Sequence, residues 1–109
     1  MFKIVANPTF TRVVHVQVPV DGGFRDDTVK ATYRVLPSEE IDAFNLESAT
    51  DSSKFLQAAL VQLDDLTNEA GAAVPYSDEV RDQVLRFPYV RLALATAYFD
   101  AVTKVKTGN

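Results

Sequence analysis

A helix that stops and another that starts at one proline constrain this chain more than any other feature. Gly71-Ala-Ala-Val-Pro-Tyr-Ser77 leads into Asp78-Glu79, and Phe87-Pro88 follows within the same stretch. Ser77 is suited to cap a helix N-terminus, and the two carboxylates after it place negative charge on the first turn. Pro88 disrupts a helix interior but fits the first position of a new helix. The spacing therefore predicts a third helix over Ser77–Phe87 with Val80, Val84 and Leu85 inward, a corner at Phe87-Pro88, and a long fourth helix from Pro88 to about Lys106.

That last helix is apolar over an unusually wide arc. Projected at about 100° per residue, Val90, Leu94, Ala97, Tyr98, Ala101 and Val105 share one face. Leu92, Ala95, Phe99 and Val102 widen the arc, and Tyr89, Thr96, Asp100, Thr103 and Lys104 form the wet wedge. An arc wider than one stripe calls for more than one neighbour. Either the rest of the chain supplies both, or Leu92, Ala95, Phe99 and Val102 form a partner-binding patch, with Leu92, Ala95 and Phe99 at helix-pairing intervals.

Upstream, the periodicity is two. Phe10, Val14, Val16 and Val18 alternate with His15 and Gln17, with Arg12 interrupting the apolar face. Val29, Ala31, Tyr33 and Val35 then alternate with Thr28, Lys30, Thr32 and Arg34. Pro19-Val20-Asp21-Gly22-Gly23 between them is turn chemistry, so the two runs read as a β-hairpin whose connection is longer than a tight two-residue turn. An isolated hairpin is marginal in water, so its valine face must rest on the helices. Past Leu36-Pro37 the period changes to that of helices. One is expected from Ser38 to about Leu46 with Ile41 and Phe44 inward. A second is expected from Ser52 or Ser53 to Leu63, with Phe55, Leu56, Ala59, Leu60 and Leu63 in step. Asp64 to Val74 reads as a loop, with Asn68-Glu69-Ala70-Gly71 as its mobile tip. The expected fold class is α+β, an N-terminal antiparallel β-hairpin (1–36) packed on a C-terminal bundle of about four α-helices (37–109), as one domain over 1–109.

The chain has no cysteine, which removes disulfides and thiolate metal sites. Its net charge of −4 argues against non-specific nucleic-acid binding. The charge is unevenly spread: residues 37–79 hold ten acidic and one basic side chain, whereas both flanking regions are net basic. No run of about 18 apolar residues predicts a membrane span. Met1-Phe-Lys-Ile-Val-Ala-Asn-Pro8 has too short an apolar run for a signal peptide, and a soluble cytoplasmic protein is expected.

Candidate chemistry is sparse. His15 is the lone histidine and reads as a strand residue on the face opposite the valines. Asp64-Asp65-Leu-Thr-Asn-Glu-Ala-Gly71 is rich in carboxylates but lacks the ligand spacing of an EF-hand loop. Ser77-Asp78 has no base beside it, Gly22-Gly23 has no phosphate-loop context, and Glu39/Glu40 and Asp26/Asp27 read as solvated neighbours. No catalytic residues, cofactor or metal are expected.

The order of these signals resembles the tail assembly chaperones of long-tailed bacteriophages and prophages. The resemblance rests on Phe2-Lys-Ile-Val-Ala-Asn-Pro-Thr-Phe-Thr11, the valine strand, and the second strand closing in Tyr33-Arg-Val-Leu-Pro37. It continues through Gly71-x-x-Val-Pro-Tyr-Ser77, Phe87-Pro88, Ala97-Tyr98 and Gly108-Asn109. Family members often carry Trp just before the acidic loop, where this chain has Leu63 and no Trp at all. The resemblance implies a non-enzymatic factor of the host bacterial cytoplasm, absent from the finished virion. Such a factor binds the tape-measure protein, keeps it soluble, and helps recruit tail tube protein. A homo-oligomer is compatible with it; nucleic acid and membrane are not implied as partners. The alternative is a structural minor tail, tube or connector subunit retained in the particle, its hairpin edge pairing between neighbours.

Overall fold

The computed structural model describes residues 1–103. Two twelve-residue strands, β1 (Thr9–Val20) and β2 (Gly23–Arg34), form the hairpin in unbroken antiparallel register from Thr9↔Arg34 to Val20↔Gly23. The connection is tighter than the sequence suggested, with only Asp21 and Gly22 between the strands. Gly22 turns at φ +81°, a region that glycine enters without the steric cost of a Cβ.

The helical side begins with α1 (Ser38–Ile41), a single turn where a helix to Leu46 was expected. Pro37, and not Ser38, occupies the cap position, and no side chain caps it. After Ile41, Ala43 and Phe44 bond back three residues instead of four. Asn45 then donates its backbone N–H to the Asp51 carboxylate at 2.9 Å and accepts from the Glu47 N–H through its side chain. Such local bonds compete with helix continuation. The next helix, α2 (Ala49–Ala59), starts earlier than expected because Ser48 supplies the cap, its Oγ accepting from the Asp51 N–H at 3.3 Å.

The larger correction is at the end of α2. Leu60 leaves the helix at ψ 129°, and Leu60–Asp64 forms a third strand, β3, antiparallel to β2. The sheet order is β1-β2-β3. A register shift between Thr32 and Tyr33 sets Leu60 opposite Tyr33 and Leu63 opposite Ala31. The irregularity brings two residues of odd spacing onto one face, which a regular strand forbids.

The corner at Phe87-Pro88 is as the sequence predicts, but α3 stops short of the expected Phe87, with Leu85 as its C-cap and a turn leading into Pro88. Ser77 caps α3 (Asp78–Val84) by accepting from the Val80 N–H at 3.1 Å, and α4 runs over Pro88–Thr103. Arg91 fastens the two helices, donating to the Leu85 carbonyl at 2.8 Å just past the end of α3. A cation there also meets the negative end of the α3 dipole. Val105 and the terminal lysines of the expected last helix lie outside the described residues.

The resulting α+β fold packs a three-stranded antiparallel sheet against the helices. α4 lies mainly on β1, and α2 lies on α4 and β2. Between them sit Val14, Val16, Val29, Ala31, Tyr33, Leu60 and Leu63 from the sheet, with Phe55, Leu56, Ala59, Leu94 and Tyr98 from the helices. Aromatic rings form the centre: Phe10 stacks on Tyr33 at 5.1 Å, and Phe55 meets Tyr98 edge-on at the same distance. No side-chain polar atom is buried without a partner among the described residues. Among the described residues, no helix is long and apolar enough to cross a membrane.

Candidate protein-binding surfaces

The hairpin is longer than the described part of the helix beneath it. Twelve strand residues at about 3.4 Å each span roughly 40 Å, while the sixteen residues of α4 at about 1.5 Å each span roughly 24 Å. The turn end of the hairpin therefore overhangs, and its inner face runs out of helix to cover it: Val16 is buried, Val18 half-buried and Val20 exposed.

The space beneath this overhang is a cleft of ≈ 730 Å³. Val18 and Val29 form its roof, and Val84, Phe87 and Val90 of the α3–α4 corner form the opposing wall. Leu66 and the acidic loop that follows β3 close one side, bringing Asp65 and Glu69 to the rim. Asp65 holds the loop away from the sheet with a φ of +66°, which Asp tolerates better than most residues. The Asn68 side-chain oxygen accepts from the N–H groups of both Ala70 and Ala72 at 3.0 Å, closing the expected tip around one residue. Arg25 and Asp27 pair bidentately on the roof at 2.9 Å, so their charges largely satisfy each other. That hydrogen bond holds the Asp27 carboxyl below its usual value and raises Arg25.

A second groove, of ≈ 570 Å³, lies on the far side of β1 against α4. The groove runs around the β1 edge: Val13 and Phe24 of the sheet's outer face and Leu92, Ala93 and Ala97 of α4 on the inner side all line it. Outward on the same face, His15 Nδ1 lies 2.9 Å from a carboxylate oxygen of Asp26, whose other oxygen accepts from Gln17. His15 is thus the exposed strand residue expected from the sequence, held by a carboxylate in solvent. Such a pair orients a ring, and among the described residues no serine, threonine or second basic group is bonded to it.

The four patch residues proposed from the helical arc are not equivalent. Leu92 points outward at 70% exposure and borders the second groove. Phe99 is half-buried and stacks on Phe55 at 5.3 Å, making it part of the ring cluster. Ala95 and Val102 are half-buried against the core. The sequence marked Val18 as part of the strand's apolar face and Phe87 as part of the corner, but not Leu66, and it did not show that the three line one cleft. Each comes from a different segment, and only the overhang of one element over another brings them together.

No group of three or more His, Asp or Glu side chains among the described residues is arranged to hold a metal ion. Comparisons with protein-family models, curated proteins and solved structures find no match.

Proposed function

We infer that this chain is a non-enzymatic assembly factor of the tail assembly chaperone type, which binds the tape-measure protein of a phage or prophage tail and promotes tail tube assembly. The observation that carries the reading beyond the sequence resemblance is the open cleft under the hairpin. Its walls are mainly apolar, its rim carries Asp65 and Glu69 together with Arg86, and its volume falls in the range of about 300–1,000 Å³ that binding pockets occupy. A helical client lays apolar side chains into such a groove at intervals of three and four residues. Basic residues flanking that stripe would meet Asp65 and Glu69. The charged rim also keeps an exposed apolar surface from associating indiscriminately.

Co-expression with the tape-measure protein followed by pull-down is the test. Phe87 is partly exposed at the cleft wall, so Phe87→Glu should abolish capture while leaving the melting temperature nearly unchanged. Val13→Glu, on the other side of the sheet, should still capture the client. Equal capture by both variants, or none by the parent chain, removes the reading.

The edge of β1, which no described strand pairs with on its outer side, supports a second reading, a structural tail, tube or connector subunit that adds strands between neighbours. Recovery of the protein from purified virions separates the two, since a chaperone leaves the particle and a subunit stays in it.

A further inference from the structure

Between Leu63 and Leu85, both of them core residues, no side chain is buried. Of residues 65–84, only Leu66, Tyr76 and Val84 rest on the core, each half-buried. The segment instead satisfies its own backbone. The Val74 N–H donates to the Leu66 carbonyl at 2.8 Å, the Asn68 N–H donates to the Ala72 carbonyl at 2.9 Å, and Ser77 caps α3 within the same stretch. Arg81 pairs with Asp78 and Asp82, its neighbours on α3. Among the described residues, one side-chain hydrogen bond ties the segment to the rest of the chain: Gln57 on α2 donates to the Asp82 carboxylate at 3.0 Å.

A segment built this way can leave the body without orphaning backbone groups, because the bonds it needs travel with it. The same residues build one side of the cleft, with Asp65, Leu66 and Glu69 from the loop and Gln83 and Val84 from α3. Deepest in the cleft lie Leu63 and Leu94, at 2% and 0% exposure, so another chain reaches them only when a wall moves. The other walls are fixed. The roof belongs to the continuous β1–β2 ladder, and α4 is anchored by the buried Leu94 and Tyr98.

We propose that residues 65–84 are a strap that swings off the body as a unit, hinged at Asp65 and at the turn from Leu85 to Pro88, and that its opening admits the client to the cleft floor. The admission step rests on the tape-measure reading above; the strap itself does not. Opening breaks the Gln57–Asp82 hydrogen bond and uncovers Leu63, while the sheet and α4 stay in place.

Because the chain has no native cysteine, a lone introduced thiol reports each opening. The thiol of Leu63→Cys, challenged with a thiol reagent under native conditions, should react at least about tenfold faster than that of Val14→Cys, which is buried on β1. Low urea should barely change the faster rate, since a local opening exposes little surface. Adding Gln57→Ala should speed labelling of Leu63→Cys several-fold and leave Val14→Cys unchanged. Equal rates that rise alike with urea, or a Leu63→Cys rate indifferent to Gln57→Ala, overturn the strap. Leu85→Cys, at the other end of the segment, repeats the measurement if Leu63→Cys does not fold.

For the client, Gln57→Cys with Asp82→Cys is bridged by a short bis-maleimide, which pins the strap to α2. The bridged form should lose most of its capture of the tape-measure protein, and the same double variant blocked with N-ethylmaleimide should keep it. Equal capture by both forms overturns the admission step. Failure of the parent chain to capture overturns that step together with the chaperone reading, and the thiol rates still decide the strap by themselves.

Discussion

Tyr33 and Tyr98 each bond, through the hydroxyl, to the backbone of the segment that carries the other. The Tyr33 hydroxyl on β2 donates to the Leu94 carbonyl of α4 at 2.8 Å, and the Tyr98 hydroxyl on α4 accepts from the Leu36 N–H just after β2 at 2.9 Å. Their rings meet edge-on at 5.5 Å, and both side chains are fully buried. The two bonds lace the last helix to the hairpin at the point where the core is deepest.

The two bonds should differ in worth. Tyr98→Phe leaves the buried Leu36 N–H with no acceptor and should cost about 1–3 kcal/mol. Tyr33→Phe removes a second donor from a helix carbonyl and should cost about 0.5–1.5 kcal/mol. Urea denaturation of both variants checks the order; a costlier Tyr33→Phe would show that the helix carbonyl depends on the phenol.

Burial raises Tyr33 well above the ordinary phenol value of 10.0. At alkaline pH the unfolded chain therefore loses this proton first. Stability is fully present below pH 10 and falls as pH climbs from there towards the folded value, with a slope approaching about 1.4 kcal/mol per pH unit. Alkaline unfolding curves should flatten in Tyr33→Phe relative to the parent. Phenolate absorbance should jump at the unfolding transition, and by less in Tyr33→Phe than in the parent.

The cap at Ser77 holds a short helix that has no fully buried residue of its own. Ser77→Ala should cost about 0.5–2 kcal/mol, measured by chemical denaturation, with Pro88→Ala costing less. A neutral Ser77→Ala would mean that α3 is held by Arg81 and the Gln57–Asp82 hydrogen bond instead.

Leu92 and Phe99 lie on the same wide arc of α4 and should respond oppositely. Phe99→Ala removes a ring stacked on Phe55 and should approach the lower end of the roughly 3–5 kcal/mol typical of truncating a buried aromatic. Leu92→Ser should shift stability by no more than about 0.5 kcal/mol. Thermal melts of the two variants decide it, and similar losses would place Leu92 in the core.

The hairpin, the Ser77 cap and the Pro88 corner were legible because each is written in local chemistry: alternation, a capping hydroxyl, a ring that forbids helix. The third strand was not. Leu60 and Leu63 are three residues apart, in step with Phe55, Leu56 and Ala59, which is a helix rhythm. They share a sheet face only through the register shift opposite Thr32 and Tyr33, and that irregularity depends on a partner strand nearly thirty residues away in sequence. The same nonlocality divided the apolar arc of α4. Periodicity shows that Leu92 and Phe99 are apolar, but Phe55 determines which of them is covered.

The crossed tyrosines also set an order of events on the ribosome. When β2 has emerged, the Tyr33 hydroxyl has no acceptor until Leu94 appears, some sixty residues later. At the usual elongation rate of about 5–20 residues per second, that interval is roughly 3–12 s. Throughout it the nascent hairpin shows its valine face, and then Phe55, Leu60 and Leu63, to whatever binds emerging apolar chain. The core closes only when α4 arrives.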